Sequence, residues 1–567
     1  MGRYFRPRFA PSQTYGGEVV GLLLVIAVGL WTAGCHRPTD EGPSSRPLAT
    51  RGVIVVSVDT LRADHLGAYG YDRDTSPQLD ALAQESVVFE HAYAQAPSTL
   101  VSHMSIFTSL FPAQHGVVSH GQTKLAESIP TFPQRFHDAG FRTGGHTEGG
   151  YVAGGYGFDR GFDEWRDPDY DHSTDIEETV DRGLAFLADV GADESFLLFL
   201  HTYSVHDPYE PPDPWRHRFW TDEPPTYATA DAATLRAAND GTRPIVDGEA
   251  AYFASRYDDG IRYADVELGR FLDGIDRLGL RDEVTLVVTS DHGEEFREHG
   301  KYLHTQLYPP VLHVPLLVRH PELEPARVEA PVRSIDIAPT LLDLFGLEPL
   351  PGASGQSLVP FLEGGIAPEP PGPVFAEVSE HGVYQRTLVA GVDAGLRLLA
   401  ERGPAVDPEG VWVGDAVDFD VVGPRVGLQL RSFHRPRRVT LRSDDDGVLF
   451  QDTIPTSWAE HTVRIPPTPD GGTHRRVGLV VGSCDRPSDV SGSGDARCLG
   501  VQVAQPSVRT FELYDLSGDR PARIEGDTLI QDLATQLESL RWAPVAAPGS
   551  HTMDDEQRRA LEALGYL

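Results

Sequence analysis

The sequence predicts an α/β protein in which a mostly parallel sheet is flanked by helices. Three observations lead to this fold class. Short, unbroken apolar runs recur along the chain, and segments with helical periodicity lie between them. The length of 567 residues, 40% of them hydrophobic, allows a large core and two or more domains. This size excludes a small binding module.

Four apolar runs have the length and composition of strands that are buried on both faces. They are Val53–Val56, Phe196–Leu200, Val284–Val288 and Val314–Val318. Between them, capping residues or apolar positions three and four apart predict helices. These are Ser76-Pro77 onward to Gln84, Met104–Leu110, Asp175–Val190 and Ala264–Leu278.

The residue pattern of the sequence changes near residue 408. Short alternating segments follow, separated by Gly, Pro and Asp clusters, which is typical of a small β-sandwich. The segments 426–431, 438–442 and 477–481 are examples. Phe511–Leu516 and the helix-like Thr528–Leu540 then return to α+β character. We therefore expect a main α/β domain over 51–407, an inserted β-rich domain over 408–508 and a C-terminal α+β segment over 509–567.

The N-terminus has the order of a secretory signal. Arginines at positions 3, 6 and 8 precede an apolar run at 19–33, which is shorter than the roughly 20 residues of a membrane-spanning helix. The end of this run, Leu30 to Cys35, resembles a bacterial lipobox, although Thr32 stands where Leu is usual. Residues 1–35 are thus predicted to be a lipoprotein signal with lipid attachment at Cys35, or alternatively an uncleaved signal anchor. Either interpretation places the rest of the chain outside the cytoplasm, at a bacterial cell envelope, after a polar linker at 36–50.

The two other cysteines, Cys484 and Cys498, lie in a segment rich in Gly, Ser and Asp. An oxidising compartment would let them form a disulfide, and two free thiols are the alternative.

The net charge of −36 bears on possible partners. A surface with this charge repels polyanions, so we expect no nucleic-acid partner. An anionic ester is still compatible with the sequence, because a metal ion and a few cationic groups set the potential inside a cleft.

Polar residues that end the apolar runs are the first candidates for a site, because ligands collect at the carboxyl ends of strands in such sheets. Asp59 and Arg62 follow the first run, where the carboxylate suits a hard divalent metal and the guanidinium suits an anion. Asp291 and His292 follow another run, and offer an oxygen and a nitrogen ligand before Gly293. Taken alone, Asp59 would more simply be a capping residue.

Hydroxyl and imidazole groups stand in two further places. Ser98 and Thr99 precede a helical segment, a position that favours an anion or an alkoxide but also suits a simple N-cap. His201 and His206 follow the Phe196–Leu200 run, where imidazoles suit proton transfer or contact with a leaving group.

The order of these segments resembles the sulfatase family of the alkaline-phosphatase superfamily. The resemblance covers about residues 52–382 and 511–567. It rests on VDTLRADHLGAYGY, STLVSHMSIFTSLFPAQHGV, the HDPY loop, TSDHGEE with EHGKYLH, HVPLLVRHP and SIDIAPTLLDLFG. It implies an alkaline-phosphatase-like sheet in the 51–407 domain, completed by the C-terminal segment.

The resemblance also implies roles for individual residues. Asp59, Asp291 and His292 would hold one divalent metal ion together with Thr99, which stands at the family's nucleophile position. Arg62, His206 and His304 would line the pocket for the ester. The donor set suits Ca, Mg or Mn, and its histidine also admits Zn.

Departures from the family pattern shift the expected chemistry. Sulfatases have Cys-x-Pro-Ser-Arg, whose cysteine becomes formylglycine, whereas this chain has Thr99-Leu100-Val101-Ser102-His103, so a formylglycine mechanism is excluded. Thr60 replaces a second acidic ligand, His304 stands where a Lys is common, and a Gly-Lys-Trp-His stretch is missing near 144–149. A threonine nucleophile resembles instead the phosphoglycerol and phosphoethanolamine transferases and phosphoesterases of the superfamily.

The sequence therefore predicts a metal-dependent hydrolase or transferase of a sulfate or phosphate ester. The substrate would be a sulfated or phosphorylated glycan, lipid or small molecule, and phosphorus is favoured. Two alternatives stay open: hydrolysis of a sulfate ester through the same site, and a degenerate site that binds such glycans without turnover. An exposed insertion at 211–250 is predicted to lie near the pocket mouth.

Overall fold

The computed structural model describes residues 50–117, 123–168, 176–226 and 228–364, and beyond these mainly strands. The central sheet has eight strands. In chain order they are β1 Gly52–Val58, β2 Val87–Phe89, β3 Arg142–His146, β4 Glu164–Arg166, β5 Phe196–Thr202, β6 Val284–Thr289, β7 Leu316–Arg319 and β8 Ala326–Val328. Their order across the sheet is β8-β2-β7-β6-β1-β5-β3-β4, and β7 alone among them runs antiparallel to its neighbours.

Helices cover both faces of this sheet. They are α1 Pro77–Ala83, α2 Thr99–Thr108, α3 Pro112–His115, α4 Phe132–Asp138, α5 Ile176–Asp189, α6 Ala232–Asn239, α7 Glu249–Arg277, α8 Pro309–Leu312, α9 Ile337–Leu344 and α10 Val359–Leu362. Shorter 3₁₀ turns occupy Ala63–His65, Gly67–Tyr69, Gly150–Val152, Gly154–Tyr156, Arg281–Glu283 and Ser334–Asp336. In the part of the chain that the structure describes, none of the helices combines the length and apolar character needed to cross a bilayer.

Alternate residues of each strand feed two separate cores, as expected for side chains that point to opposite faces. Val53 and Val55 of β1 pack on the face that carries α2, α4 and α9. Ile54, Val56 and Val58 pack on the other face, against α1, α5 and α7. The unbroken apolar run of β1 follows from this double burial, and the predicted α/β fold class is confirmed.

One predicted strand was placed incorrectly. The Val314–Val318 run is divided by Pro315, which has no N–H to donate to a ladder. His313–Val314 pairs with Ala92–Tyr93 outside the central sheet, and only Leu316–Arg319 enters it, as the antiparallel strand β7.

Helix α7 begins at Glu249, well before the predicted start at Ala264. Its N-terminal half contains buried carboxylates that hide the apolar periodicity. Asp258 is an example: it is fully buried and accepts hydrogen bonds from Tyr71 and Arg73, and its Oδ1 lies 2.6 Å from Nδ1 of His65. Those partners come from a distant segment, so the sequence did not show that these carboxylates would be buried. The charged residues therefore concealed the helical pattern of this stretch.

The remaining strands form smaller sheets. Three small sheets, two with two strands and one with three, are formed by Ala92–Tyr93, Thr123–Lys124, Glu295–Phe296, Tyr302–Leu303, His313–Val314, Val332–Arg333 and Gly549–Ser550. A five-stranded antiparallel sheet contains Val374–Glu380, Val383–Val392, Gly395–Pro404, Thr510–Asp515 and Ala522–Ile524.

Two four-stranded antiparallel sheets occupy the part of the chain for which a β-sandwich is predicted. One contains Val411–Val413, Arg425–Ser432, Ala459–Arg464 and Val501–Ala504. The other contains Ala416–Val422, Arg437–Ser443, Gly447–Ile454 and His474–Val481. The residues that flank this part, 395–404 and 510–515, pair with each other. The domain boundaries given above remain predictions.

Several predicted features lie outside the described residues. They are the signal and linker at 1–49, Cys35, the pair Cys484 and Cys498, and most of the 528–540 segment.

A buried histidine on α3 gives the fold a pH dependence. His115 is fully buried, with Nδ1 accepting from the N–H of Val117 and Nε2 lying 3.1 Å from Oγ of Ser105. Burial lowers the pKa of His115 to about 3. Since an unfolded histidine has a pKa of about 6.5, its contribution to stability is complete above that pH and is lost as the pH falls toward 3.

We therefore expect the buried His115 to lower the unfolding free energy of the wild type by about 2 kcal/mol as the pH falls from 7.5 to 5. An amide cannot titrate, so the gap in unfolding free energy between wild type and His115→Asn should shrink by that amount. Urea unfolding of both proteins at the two pH values measures it. A gap that stays constant would contradict the neutral, buried imidazole.

Candidate metal and ester site

Three strands bring their carboxyl ends to one edge of the sheet. Ser57 of β1 is in register with His201 of β5 and with Thr289 of β6. Asp59 follows β1 immediately, and Asp291 follows β6 after one intervening residue. The parallel register therefore places these side chains near one another although they come from distant parts of the sequence.

Asp59, Asp291 and His292 form a buried cluster that can hold a cation. One ligand atom from each lies within 4.8 Å of the others, and all three residues are fully buried. Oδ1 of Asp59 and Oδ2 of Asp291 accept no hydrogen bond from the described residues. Two buried carboxylates with unsatisfied oxygens are costly unless a positive charge lies between them. The donor set therefore fits one divalent cation, and the predicted ligands are brought together.

The turn after β1 is held in a conformation that few side chains adopt. Thr60 has φ 57°, which is unfavourable for a β-branched residue and typical of strained functional sites. The hydroxyl of Tyr257 donates to the Thr60 carbonyl at 2.6 Å, and the N–H of Thr60 donates to Asp291 Oδ1 at 3.4 Å. This turn therefore connects the segment that bears Asp59 to the side chain of Asp291.

The turn after Asp291 and His292 has no room for a side chain. A Cβ at Gly293 would lie 2.1 Å from the carbonyl oxygen of Pro310. The glycine is therefore required by this close approach of two backbones.

Thr99 is the first residue of α2 and lies beside the cluster. Its Oγ1 is 3.4 Å from Nε2 of His292, and the residue is fully buried. Ser102, one turn further, donates to the carbonyl of Asp291 at 2.6 Å and so fixes the start of α2 against the end of β6. A hydroxyl at a helix N-terminus is in a favourable position for negative charge on its oxygen.

Two further imidazoles support this arrangement: His103, which was given no site role from the sequence, and His201, for which the sequence suggested proton transfer or contact with a leaving group. His103 lies one turn after Thr99, with Nδ1 2.9 Å from the Thr99 carbonyl and Nε2 2.9 Å from Oγ of Ser57. Nε2 of His201 is 3.3 Å from Oδ2 of Asp59. Burial lowers the pKa of each histidine to about 4, so both rings are neutral at neutral pH. The four-residue spacing of His103 from Thr99 was the available signal for it.

The predicted pocket histidines also lie together. The ring centroid of His304 is 4.4 Å from that of His292 and 5.4 Å from that of His206. Nδ1 of His304 is 3.4 Å from Oε2 of Glu294, a fully buried residue that sequence reasoning did not single out. Burial, together with the charges of nearby carboxylates, raises the pKa of Glu294 well above its ordinary value.

Arg62 is buried, and its guanidinium faces neighbouring acceptors. Nε and Nη2 each donate to Asp64 at 2.8 Å, while Nη1 donates to Glu298 at 2.6 Å and to the carbonyl of Glu294 at 3.0 Å. These contacts tie the segment after β1 to the segment after His292. The role of Arg62 as an anion clamp stays a prediction.

Comparison with known proteins shows the family of the chain. A family model described as Sulfatase matches residues 51–347, more than half of the chain. The chain belongs to the sulfatase family. Membership places this sulfatase-family protein among the hydrolases of sulfuric and phosphoric esters, and it confirms the resemblance drawn from the motifs.

Curated relatives of this sulfatase-family chain share low identity over most of their length. Choline-sulfatase of Rhizobium meliloti (strain 1021) is 23% identical over 384 residues, which cover 56% of this chain and 72% of that protein. The N-acetylglucosamine-6-O-sulfatase of Bacteroides thetaiotaomicron is 22% identical over 430 residues, covering 60% of this chain and 75% of that protein.

Solved structures establish the fold of this family member. The phosphonate monoester hydrolase of Silicibacter pomeroyi superposes with a TM-score of 0.50 at 20% identity, covering 63% of this chain and 87% of that one. A protein solved with its substrate D-glucosamine-2-N,6-O-disulfate gives a TM-score of 0.51 at 18% identity, covering 62% and 88% respectively.

Proposed function

We propose that this sulfatase-family protein cleaves a sulfate or phosphate ester with Thr99 as the nucleophile and one divalent cation held by Asp59, Asp291 and His292. The observation that carries the proposal is the position of the Thr99 hydroxyl, 3.4 Å from a nitrogen of the ligand cluster at the start of α2. The chain has no cysteine at this position, so the hydroxyl itself must act.

A divalent cation in this site would lower the pKa of a nearby hydroxyl and offset negative charge that develops on the ester oxygens. Thr99 Oγ1 then attacks the sulfur or phosphorus atom, and the bond to the leaving oxygen breaks with its electron pair on that oxygen. His206 or His304 supplies the proton that the leaving oxygen needs. Attack by water, or by another alcohol, on the substituted threonine restores the hydroxyl.

Phosphorus is favoured over sulfur by the chemistry of the second step. A sulfated formylglycine is released by its own second hydroxyl, whereas a sulfated threonine has no such group and depends on attack by water. A phosphothreonine is open to in-line attack at phosphorus. Sulfate esters are the second candidate, since the curated relatives include sulfatases that act on choline and N-acetylglucosamine esters.

A panel of p-nitrophenyl esters tests the proposal. It would contain the sulfate, the phosphate monoester, the bis-p-nitrophenyl phosphate diester and the phenylphosphonate, each assayed with Mg²⁺, Mn²⁺, Ca²⁺ or Zn²⁺. We expect at least one phosphorus ester to exceed the sulfate by about 10-fold or more in kcat/KM. Faster turnover of the sulfate would assign the protein to the second candidate, and no turnover of any ester would overturn the proposal.

The natural substrate and the cellular location are part of the same proposal. We infer that the ester is carried by a glycan, lipid or small molecule outside the cytoplasm, and that lipid attachment at Cys35 holds the enzyme at the cell envelope. The 211–250 insertion supports a role in selecting the substrate, because it directly follows the loop that bears His206. Much of 212–223 is exposed, while Asn239 of α6 donates to the carbonyl of Tyr302.

A further inference from the structure

His206 has a carboxylate partner that its sequence neighbour provides. Nδ1 of His206 lies 3.1 Å from Oδ1 of Asp207 and 3.0 Å from the carbonyl oxygen of the same residue. The side chains are 1% and 3% exposed, so water does not screen the pair. Both acceptors contact the same nitrogen, and this nitrogen therefore carries a proton in either charge state of the ring.

We propose that Asp207 is a positioning residue that holds Nδ1 of His206 protonated and so presents Nε2 of His206 as the proton donor to the leaving oxygen. The inference rests on the proposed function. With Nδ1 occupied, Nε2 is the nitrogen that delivers a proton. As the bond from phosphorus or sulfur to the leaving oxygen breaks, that oxygen takes its electron pair and the Nε2 proton, and a neutral His206 remains. Nε2 then accepts the proton of the attacking water, so the cycle balances.

The charges around His206 favour the protonated ring. Burial alone would lower its pKa, but without a bound cation the charges of Asp207, Asp59 and Asp291 and the hydrogen bond to the Asp207 carbonyl outweigh it and raise the pKa of His206. Burial raises the pKa of Asp207 to about 6, which still leaves it ionised at pH 7.5. The charged and titratable groups that face the ring are Asp207 from its own loop, Asp59 after β1, Asp291 after β6, His201 and Tyr203 from β5 and its loop, and His304.

The other pocket histidine, His304, contacts Glu294 and the ligand cluster. Its Nδ1 is 3.4 Å from the nearest oxygen of Glu294, near the limit of a hydrogen bond, and its ring packs against the ligand His292.

The test compares Asp207→Asn with Asp193→Asn, an exposed carboxylate before β5 at the end of the sheet away from the site, and with Asp207→Glu, which keeps the charge. A proton donor matters most for poor leaving groups, so the assay uses aryl esters from phenol to 2,4-dinitrophenol. We expect Asp207→Asn to lose about 10- to 100-fold in kcat on the phenyl ester and less than about 3-fold on the dinitrophenyl ester. Asp193→Asn should match wild type, and Asp207→Glu should recover part of the loss.

Two pH measurements complete the test. A donor must be protonated, so the fall in kcat at high pH should move to lower pH in Asp207→Asn. Histidine NMR, with His206→Gln to assign the signal, should show the pKa of His206 falling by about one unit without any substrate. An equal loss on all esters, or an unmoved His206 pKa, would overturn the inference. An inactive wild type would overturn the proposed function instead, while the NMR titration would still report on the pair.

Discussion

Replacing Thr99 by Ala is expected to remove ester hydrolysis, with a loss of at least about 10³-fold in kcat, while the protein still folds and binds its metal ion. The change deletes the hydroxyl that lies 3.4 Å from Nε2 of His292. Alanine is well accommodated in the first turn of a helix, and the contact of Ser102 with the Asp291 carbonyl does not involve Thr99. The measurement is kcat on the preferred ester, with circular dichroism and metal content determined on the same sample.

The chain offers a matched control in the same helix. Thr108→Ala deletes a buried hydroxyl that donates only to the Met104 carbonyl, at the opposite end of α2, and should keep activity. Thr99→Ser keeps a hydroxyl and should retain partial turnover. Mass spectrometry of protein quenched during turnover should find one phosphoryl or sulfuryl group on the peptide that contains Thr99. Full hydrolysis by Thr99→Ala would exclude the threonine nucleophile.

The sheet and the ligand cluster were predictable because both depend on local patterns. A strand buried on both faces is apolar throughout, so β1, β5 and β6 stand out in the sequence. The polar residues at their ends must then meet at one edge, which places Asp59 beside Asp291 and His292. The antiparallel direction of β7 was not predictable, because an apolar run has the same composition in a parallel and in an antiparallel strand pair.

The partners of the predicted residues depend on tertiary contacts and were not predictable. The guanidinium of Arg62 donates to Asp64 and Glu298, and the side-chain torsion angles that place it there leave no pattern in the sequence. Glu294 follows the ligand pair in sequence, yet its contact with His304 requires the hairpin between them to fold back. Such contacts define orientation and protonation, and they are the information that the sequence lacks.

Asp291→Asn is expected to lower metal affinity by at least about 100-fold and to abolish activity with it. An amide keeps the shape of the side chain, and its oxygen can still accept the N–H of Thr60. Without metal, however, Asp59 and Asp291 are two buried carboxylates whose unsatisfied oxygens face the same cluster. Neutralising one of them removes their repulsion, so the metal-free variant should be at least as stable as metal-free wild type.

The loss of metal binding and the gain in metal-free stability can both be measured in one thermal-unfolding experiment. In wild type, the metal ion should raise Tm, because it binds only the folded state, and chelation should reverse the increase. In Asp291→Asn this increase should be absent, while the Tm measured in EDTA should equal or exceed that of wild type. Asp193→Asn, an exposed carboxylate before β5 at the opposite end of the sheet, serves as the control and should keep the metal-dependent increase. A variant that loses stability in EDTA would show that Asp291 acts mainly in folding, whereas an unchanged metal content would show that the cluster is not the cation site.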